Sequence, residues 1–511
     1  MNTLWEALCA TAGRCPDTVA IQCGDQSLTF AEWADRAQAT SRRLGAACEP
    51  GQFVGLVVSH DSWVSFAVAY LATQLAGAIP VPIRADASQR DWELMCREAG
   101  LDMVVPTTPR HARRSAPRQV SLDDLVSWES VAATPMSETA DALFTSGTMG
   151  TPKAVLSLHA ELLSGGRLPP SWRGKAFAHT MPPFSAGGVH GAMRLAIMSG
   201  VGAVTTGTLS IWDLDELLSL LERPTTLALY TTPQFAKAIA REVGPAASAS
   251  LDHVRMVIVT GAASDRSTML DAGRAFRRAS LVNAYGSTEA GMAQTFMVYD
   301  PKRPEALGRS VGRTEVRIVD ATSGTMISEP GRTGEIALRR VGAPQRQYVT
   351  PNEEGAFTAD GWVKTGDLGY LSSDGYLYVV DRKKDIAIRG GENISMRQIE
   401  EAILEHPDIS DAGVVAIPSP DGNDQVVAFV VGEAPVQELR DLVRTHLSSP
   451  SAFPRSVHFV ERIPRNVLGK TDKNALRLLA TGQMGRFDEE TMITSDRPRS
   501  EGGAPKGPSA H

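Results

Sequence analysis

LFTSGTMGTPKAV, residues 143–155, is the stretch from which the rest of the chain is read. An apolar lead-in runs into Thr145, Ser146, Gly147, Thr148, Gly150 and Lys153. Small residues let backbone N–H groups approach an anion, hydroxyls add donors, and the lysine adds positive charge, a combination that suits a polyphosphate. It is not a Walker loop, because the G-x-x-x-x-G-K-[ST] spacing is absent. Taken alone, such a loop is more often a plain turn, and three further segments change that reading. NAYGSTEAG, residues 283–291, places Tyr285, Ser287, Thr288 and Glu289 immediately after a strand-like stretch at 280–282. GWVKTGDLGYLSSDGYLYVVDR, residues 361–382, carries Asp367 in what reads as a Gly-flanked turn and ends in Arg382. PRNVLGKTDKNALR, residues 464–477, presents Lys470 after a glycine. A glycine-flanked carboxylate suits the two hydroxyls of a ribose, and an acidic residue beside a threonine suits Mg²⁺ and phosphate. A mobile lysine neutralises charge developing at a transferring phosphoryl group.

Outward from these segments, the pattern is of strands alternating with helices. Thr29 and Glu32 form a T-x-x-E capping box that opens a helix to about Leu44. Residues 54–58 read as a buried strand and 62–76 as the helix after it. Later strands are expected at 102–105, 203–206, 226–230 and 256–260, an alternation that argues for α/β architecture on largely parallel sheets. From about 313 to 380 short alternating strands with turns such as Ser373-Asp374-Gly375 suggest a β-rich subdomain. A charged joint, RKKD, then leads to a compact α+β pattern ending near Leu479. The fold class expected is α/β plus α+β, with a large N-terminal domain at 1–381, a joint at 382–385 and a small C-terminal α+β domain at 386–487. Residues 488–511 are polar, rich in Gly, Pro and Ser, and read as a disordered tail.

Composition narrows the function classes. The chain's 511 residues allow two to four domains at ~150 residues each. Its 51 Lys plus Arg against 58 Asp plus Glu leave a net charge of −7, with no long basic block, so nucleic acid is not expected as a partner. Cys9, Cys15, Cys23, Cys48 and Cys96 show no CxxC pairing, which excludes a zinc ribbon or disulfide framework and fits a reducing cytosol. The N-terminus lacks the cationic flank and apolar core of a signal peptide. The uncharged stretch 64–83 holds Ser65, Thr73, Gln74, Pro80 and Pro82, so it reads as a buried helix entering an extended segment rather than a membrane span. Arg110, Arg113, Arg114 and Arg118 offer an anion patch or, as the favoured reading, a solvated loop.

In this order, the motifs closely resemble those of the adenylate-forming superfamily, which includes acyl- and aryl-CoA synthetases, peptide-synthetase adenylation domains and beetle luciferases. The form is closest to stand-alone acyl-CoA synthetases, and the likeness extends from Thr29-Phe30 through Lys470. The resemblance implies that Thr145, Ser146, Gly147, Thr148 and Lys153 belong to a phosphate loop. Gly261, Ala262, Ala263, Asn283, Ala284 and Tyr285 would bracket adenine, continuing into Gly286 and Ser287. Thr288 would bind the α-phosphate, Glu289 would hold Mg²⁺, and Asp367 with Arg382 would take the ribose. Lys384 falls at the family's hinge. Lys470 would touch both the substrate carboxylate and the α-phosphate. The implied reaction joins a small-molecule carboxylic acid to ATP, releasing pyrophosphate, and passes the acyl group from acyl-AMP to a thiol. In the family the C-terminal domain swings between the two steps, so Lys470 serves only the first.

Departures from the family pattern bear on substrate and acceptor. Met149 and Ala154 replace a usual threonine and glycine, Asp381 stands where glycine is common, and Met396 and Gln398 where proline and an acidic residue are common. Ser185 replaces the histidine of many acyl-CoA synthetases and the aspartate of amino-acid-activating members. A buried ammonium needs a carboxylate partner, so an α-amino acid is disfavoured. Phe184, Ser185, Gly188, Gly291 and Met292 would line the acyl pocket. The small residues there either make room for a bulky acid or permit close backbone packing, two readings of equal weight. His190 reads as a wall or satisfied core histidine rather than a base. Gly390 and Gly391 would leave space for the pantetheine arm of coenzyme A, which a carrier protein presents equally. Acyl-carrier-protein ligase is therefore the alternative acceptor reading. A non-catalytic nucleotide-binding protein is the alternative of another class, with retention of Glu289, Asp367 and Lys470 against it.

Overall fold

The computed structural model describes residues 1–111, 117–120, 136–146, 152–211, 213–262, 264, 266–351, 355–389, 392–419, 424–447, 452–465 and 470–482. Residues 488–511 of the expected tail lie outside these, as do Arg113 and Arg114.

The helix Phe30–Gly45 begins as its sequence dictates. The Glu32 N–H donates to Thr29 Oγ1 at 3.2 Å and the Thr29 N–H to Glu32 Oε2 at 2.8 Å, closing the capping box. It packs along the helix Trp63–Leu75, whose Ala67 carbonyl accepts the Trp33 indole N–H at 2.9 Å. Trp63–Leu75 is uncharged because it is buried along nearly its whole length. Its polar groups are satisfied inside: Thr73 donates to the Ala69 carbonyl and Gln74 Nε2 to the Ala140 carbonyl. No helix among the described residues is long and apolar enough to cross a membrane.

Among the described residues the largest sheet has eight strands. In spatial order they are Thr295–Val298, Ser280–Tyr285, Met256–Val259, Thr226–Thr231, Ala176–His179, Gly202–Thr205, Val19–Cys23 and Gln26–Thr29. The six inner strands are parallel and the two edges antiparallel. A second, parallel sheet comprises Ile79–Arg84, Phe53–Val58, Met103–Pro106 and Arg118–Gln119. Helices cover these parallel strands, and their runs of Val, Ile, Leu and Ala are the cores. An antiparallel five-stranded sheet follows, Met326–Ile327, Thr314–Val319, Gly334–Arg340, Val363–Leu371 and Leu377–Arg382. The C-terminal lobe has its own core between the helices Met396–Ile403 and Val436–Leu447 and the sheet Ile409–Ile417, Gln425–Gly432, Ser456–Phe459.

The joint between lobes is tied on both sides. Lys383 Nζ donates to the Ala321 carbonyl at 3.0 Å and reaches Glu335 Oε2 at 3.4 Å in the five-stranded sheet. Asp385, two residues on, takes Arg477 at 2.8 Å and faces Lys473 at 3.8 Å, both on the C-terminal helix Lys473–Ala480. Asp381 is buried, and its Oδ2 accepts the Ser395 hydroxyl at 2.7 Å and the Arg397 N–H at 3.0 Å.

Two local expectations are corrected. Asn283, Ala284 and Tyr285 do not follow a strand but end one. Parallel pairing of Asn283 with Val259 and antiparallel pairing with Met297 carry the ladder through Tyr285. Asp367 lies not in a turn but within Val363–Leu371, opposite Arg382 on Leu377–Arg382. The glycines that suggested a turn have other reasons. Gly366 holds φ at +74° beside an irregularity in the ladder, and a Cβ on Gly369 would stand 2.3 Å from the Tyr378 carbonyl.

Candidate active site

Pairing across Val363–Leu371 and Leu377–Arg382 fixes the centre of the site. Arg382 Nε donates to Asp367 Oδ1 at 2.9 Å, and the Tyr285 hydroxyl, from the end of its strand, donates to Asp367 Oδ2 at 2.7 Å. Thr365 Oγ1 stands 3.1 Å from that hydroxyl and accepts the Asp367 N–H at 3.2 Å. Burial, with Asp367 adding to it, pushes the Tyr285 phenol well above its ordinary range. Burial works against the Arg382 charge, but Asp367, Glu289 and Asp385 outweigh it and raise its pKa. With Arg382 45% exposed, the Asp367 pair contributes no more than ~1 kcal/mol to folding; its consequence is geometric. Each carboxylate oxygen keeps a second lone pair, so the site can still accept two hydroxyls.

Lys470, from the C-terminal lobe, lies near enough to Arg382, Asp367 and Lys384 for their charges to act on it. Burial and the like charge of Arg382 lower its pKa, partly offset by Asp367. Lys384 is exposed, with its pKa lowered by desolvation and by Arg382.

Thr145 and Lys153 face each other across the antiparallel pair Thr139–Ser146 and Pro152–Leu158. Lys153 Nζ lies 5.6 Å from the centroid of the Tyr348 ring. The Ser146 side chain, Gly147 and Thr148 lie outside the described residues, as do Ala263, Gly390 and Gly391. Gly261, at φ +86°, and Ala262 follow the strand Met256–Val259 at the edge shared with Asn283. The Asn283 side-chain nitrogen is buried without a hydrogen-bond partner among the described residues, an orphan donor that fits a purine ring nitrogen.

After Tyr285 the chain turns through Gly286 to Met292. The Ala290 N–H donates to Ser287 Oγ at 3.1 Å and the Gly291 N–H to the Ser287 carbonyl at 3.0 Å. Thr288 and Glu289 stay partly exposed. No cluster of three or more His, Cys, Asp or Glu suited to a metal occurs among the described residues. The single carboxylate of Glu289 fits Mg²⁺, which is commonly held by one or two carboxylates and substrate phosphates.

The expected acyl wall is a seven-residue π-helix, Gly187–Met193. Ser185 starts it, donating to the Pro182 carbonyl at 2.8 Å and accepting the Gly188 N–H at 3.0 Å. Phe184 packs on the main core, and Met292 is buried. A Cβ on Gly188 would stand 2.0 Å from the Pro182 carbonyl oxygen, and one on Gly291 2.3 Å from Glu161 Oε1. At these two positions close packing, not pocket room, requires glycine.

His190 is buried, with Nε2 2.8 Å from Asp141 Oδ2 and Nδ1 3.2 Å from an Arg346 nitrogen. Arginine only donates, so Nδ1 accepts and the proton sits on Nε2. Both ring nitrogens are occupied, as expected of a satisfied core histidine. Tyr70 also donates to Asp141, at 2.5 Å. Burial alone would raise the Asp141 pKa, but His190, Tyr70 and Arg346 together lower it. Sequence reasoning missed Thr365, Asp141, Glu161 and Arg346. Thr365 sits in the quoted KTGD; the others are single polar residues whose partners lie 49 or more positions away.

Residues 8–344 match the AMP-binding enzyme family, and residues 398–470 match the AMP-binding enzyme C-terminal domain. The chain is 27% identical to the 2-succinylbenzoate–CoA ligase of Bacillus licheniformis, over 90% of its own length and 97% of the relative's. It is 27% identical to the medium-chain fatty-acid–CoA ligase of Escherichia coli, over 81% and 79% of the two chains. The fold matches that of o-succinylbenzoate coenzyme A synthetase from Bacillus subtilis, solved with ATP and magnesium, at a TM-score of 0.75 and 23% identity over 92% and 99% of the chains. Fold, motif order and a family match over more than half of its length agree: the chain belongs to the AMP-binding enzyme family.

Proposed function

We propose that the protein activates a non-amino, mostly apolar carboxylic acid with ATP and transfers the acyl group to the thiol of coenzyme A. The observation that carries this reading is the meeting of Tyr285, Asp367 and Arg382 with Lys470 from the other lobe. Asp367 accepts the ribose hydroxyls on its free lone pairs, held in aim by Tyr285 and Arg382. Asn283 offers its unpartnered nitrogen to the purine, and Thr145, Ser146, Gly147, Thr148 and Lys153 cradle the phosphates. Glu289 would hold Mg²⁺, which when bound would supply charge neutralisation to the polyphosphate.

Adenylation forms a bond between a carboxylate oxygen and the α-phosphorus and breaks the α–β bridge, releasing pyrophosphate. Thr288 and Lys470 stabilise the charge that builds on the α-phosphoryl oxygens. In the second step sulfur attacks the acyl carbon, the acyl–oxygen bond breaks, and AMP leaves. Gly390 and Gly391 border the pantetheine arm in this reading, and Lys384 is the pivot between a domain at 1–381 and one at 386–487. Ser185 carries no charge for an α-ammonium, and the bulk preference expected from the glycines loses the support of Gly188 and Gly291. Five free cysteines accord with a cytosolic setting.

The test is pyrophosphate release across short, long-chain, aryl and α-amino acids, with Mg²⁺, with and without coenzyme A. Release that depends on a non-amino acid, and thioester that forms only with coenzyme A, are expected. Preferred use of an amino acid would overturn the substrate assignment. Thioester formed solely on a phosphopantetheinyl carrier protein would replace the acceptor.

A further inference from the structure

Behind the turn that carries Thr288 and Glu289 lies a charged assembly that the reaction as described does not use. Glu161 and Arg346 are 3% exposed and paired at 2.8 Å and 3.2 Å through two guanidinium nitrogens. Each also holds one end of the turn by its backbone. Arg346 Nη1 donates to the Thr288 carbonyl at 2.7 Å, and Glu161 Oε1 accepts the Met292 N–H at 2.6 Å. Arg340 donates to the Met292 carbonyl at 3.1 Å. Gly291 lies flat against the pair, where a Cβ would come within 2.4 Å of Arg346 Nε. The third guanidinium contact, to His190 Nδ1, ties the same arginine to the π-helix.

We propose that the buried Glu161–Arg346 pair is a positioning clamp that sets the Thr288–Met292 turn, and so aligns the α-phosphate and metal side with the acid side. The assignment rests on the adenylation reading above. A buried ion pair is a poor means of stabilising a fold, because desolvation offsets most of its attraction. This pair instead spends its remaining hydrogen-bonding capacity on the backbone of one functional turn. The planar fork of arginine meets Glu161, the Thr288 carbonyl and His190 together, which a point-charge lysine does not. Neither clamp residue touches substrate; both act through the turn.

The test separates positioning from stability. Arg346→Met and Glu161→Gln each leave a buried charge alone and should lower Tm. The neutral double variant, Glu161→Gln with Arg346→Met, should recover much of that loss. Acid-dependent ATP–pyrophosphate exchange in the double variant should nevertheless stay down ~100-fold in kcat, because the turn has lost its Thr288 anchor and small displacements of reacting groups cost that much. Native exchange in the double variant would overturn the clamp. If the double variant does not fold, Arg346→Lys carries the test: a stable protein with slow exchange supports the proposal, and a native rate overturns it. Failure of the wild-type protein to exchange with any acid would instead remove the adenylation reading, a result distinct from equal exchange in wild type and variant.

Discussion

Asp367 takes one donor on each oxygen, Arg382 on Oδ1 and Tyr285 on Oδ2, and both donors hold the carboxylate without saturating it. Asp367→Asn keeps the shape but replaces one acceptor oxygen by a donor and discards the charge. It should raise KM for ATP by roughly 10-fold, a loss on the order of 1.4 kcal/mol of binding, with Tm little changed. Steady-state kinetics at saturating acid read this directly, and an unchanged KM would take Asp367 out of nucleotide binding. Lys470 sets a pH limit. Its pKa lies below the ordinary lysine value, from burial and Arg382, and in the proposed adenylation its charge is the active form. Adenylation should therefore hold at lower pH and fall as pH rises through that lowered pKa. In Lys470→Arg the alkaline limb should move up, since guanidinium keeps its proton. A pyrophosphate-exchange profile with the same limb in both proteins would assign it to another group.

The capping box, the interior helix Trp63–Leu75 and the parallel strands were legible because each is written in local pattern. The strand register places Thr145 against Lys153, at the ends of the stretch read as a phosphate loop. What stayed hidden depended on partners distant in sequence. Asp367 read as a turn residue because its flanking glycines signal turns, whereas Gly369 is required by the Tyr378 backbone on the neighbouring strand. Glu161 and Arg346, separated by 185 positions, leave no local signature of pairing. The glycines of the π-helix gave two equal readings until the contacts were known, and a variant now separates them. Gly188→Ala places a methyl group against a backbone oxygen that has no rotamer to move aside. It should destabilise the fold by ~1–3 kcal/mol, read as a fall in Tm. Unaltered Tm with altered choice of acid would return the position to the pocket.

Across the whole molecule, Lys470 lies near enough to Asp367 and Arg382 for their charges to act on it, the placement that the proposed adenylation calls for. Lys470→Ala should lose acyl-AMP formation by ~100- to 1,000-fold, yet convert presynthesised acyl-AMP and coenzyme A to thioester at near the native rate. Lys384→Pro, with φ fixed near −65°, should do the reverse. Chromatography of acyl-AMP and acyl-CoA separates the two outcomes, and equal loss of both steps in a folded Lys470→Ala protein would refute either alternation or the role given to the lysine. The ties around the joint set how such a swing is transmitted. Lys383 is fastened to the larger lobe and Asp385 to the helix just beyond Lys470, leaving one residue between the fastenings. A bearing one residue long would have little torsional slack, so under the proposed alternation the smaller lobe would turn as a lever. In the alternation proposed above, a rotation at residue 384 would be carried to the lysine at the lever's far end.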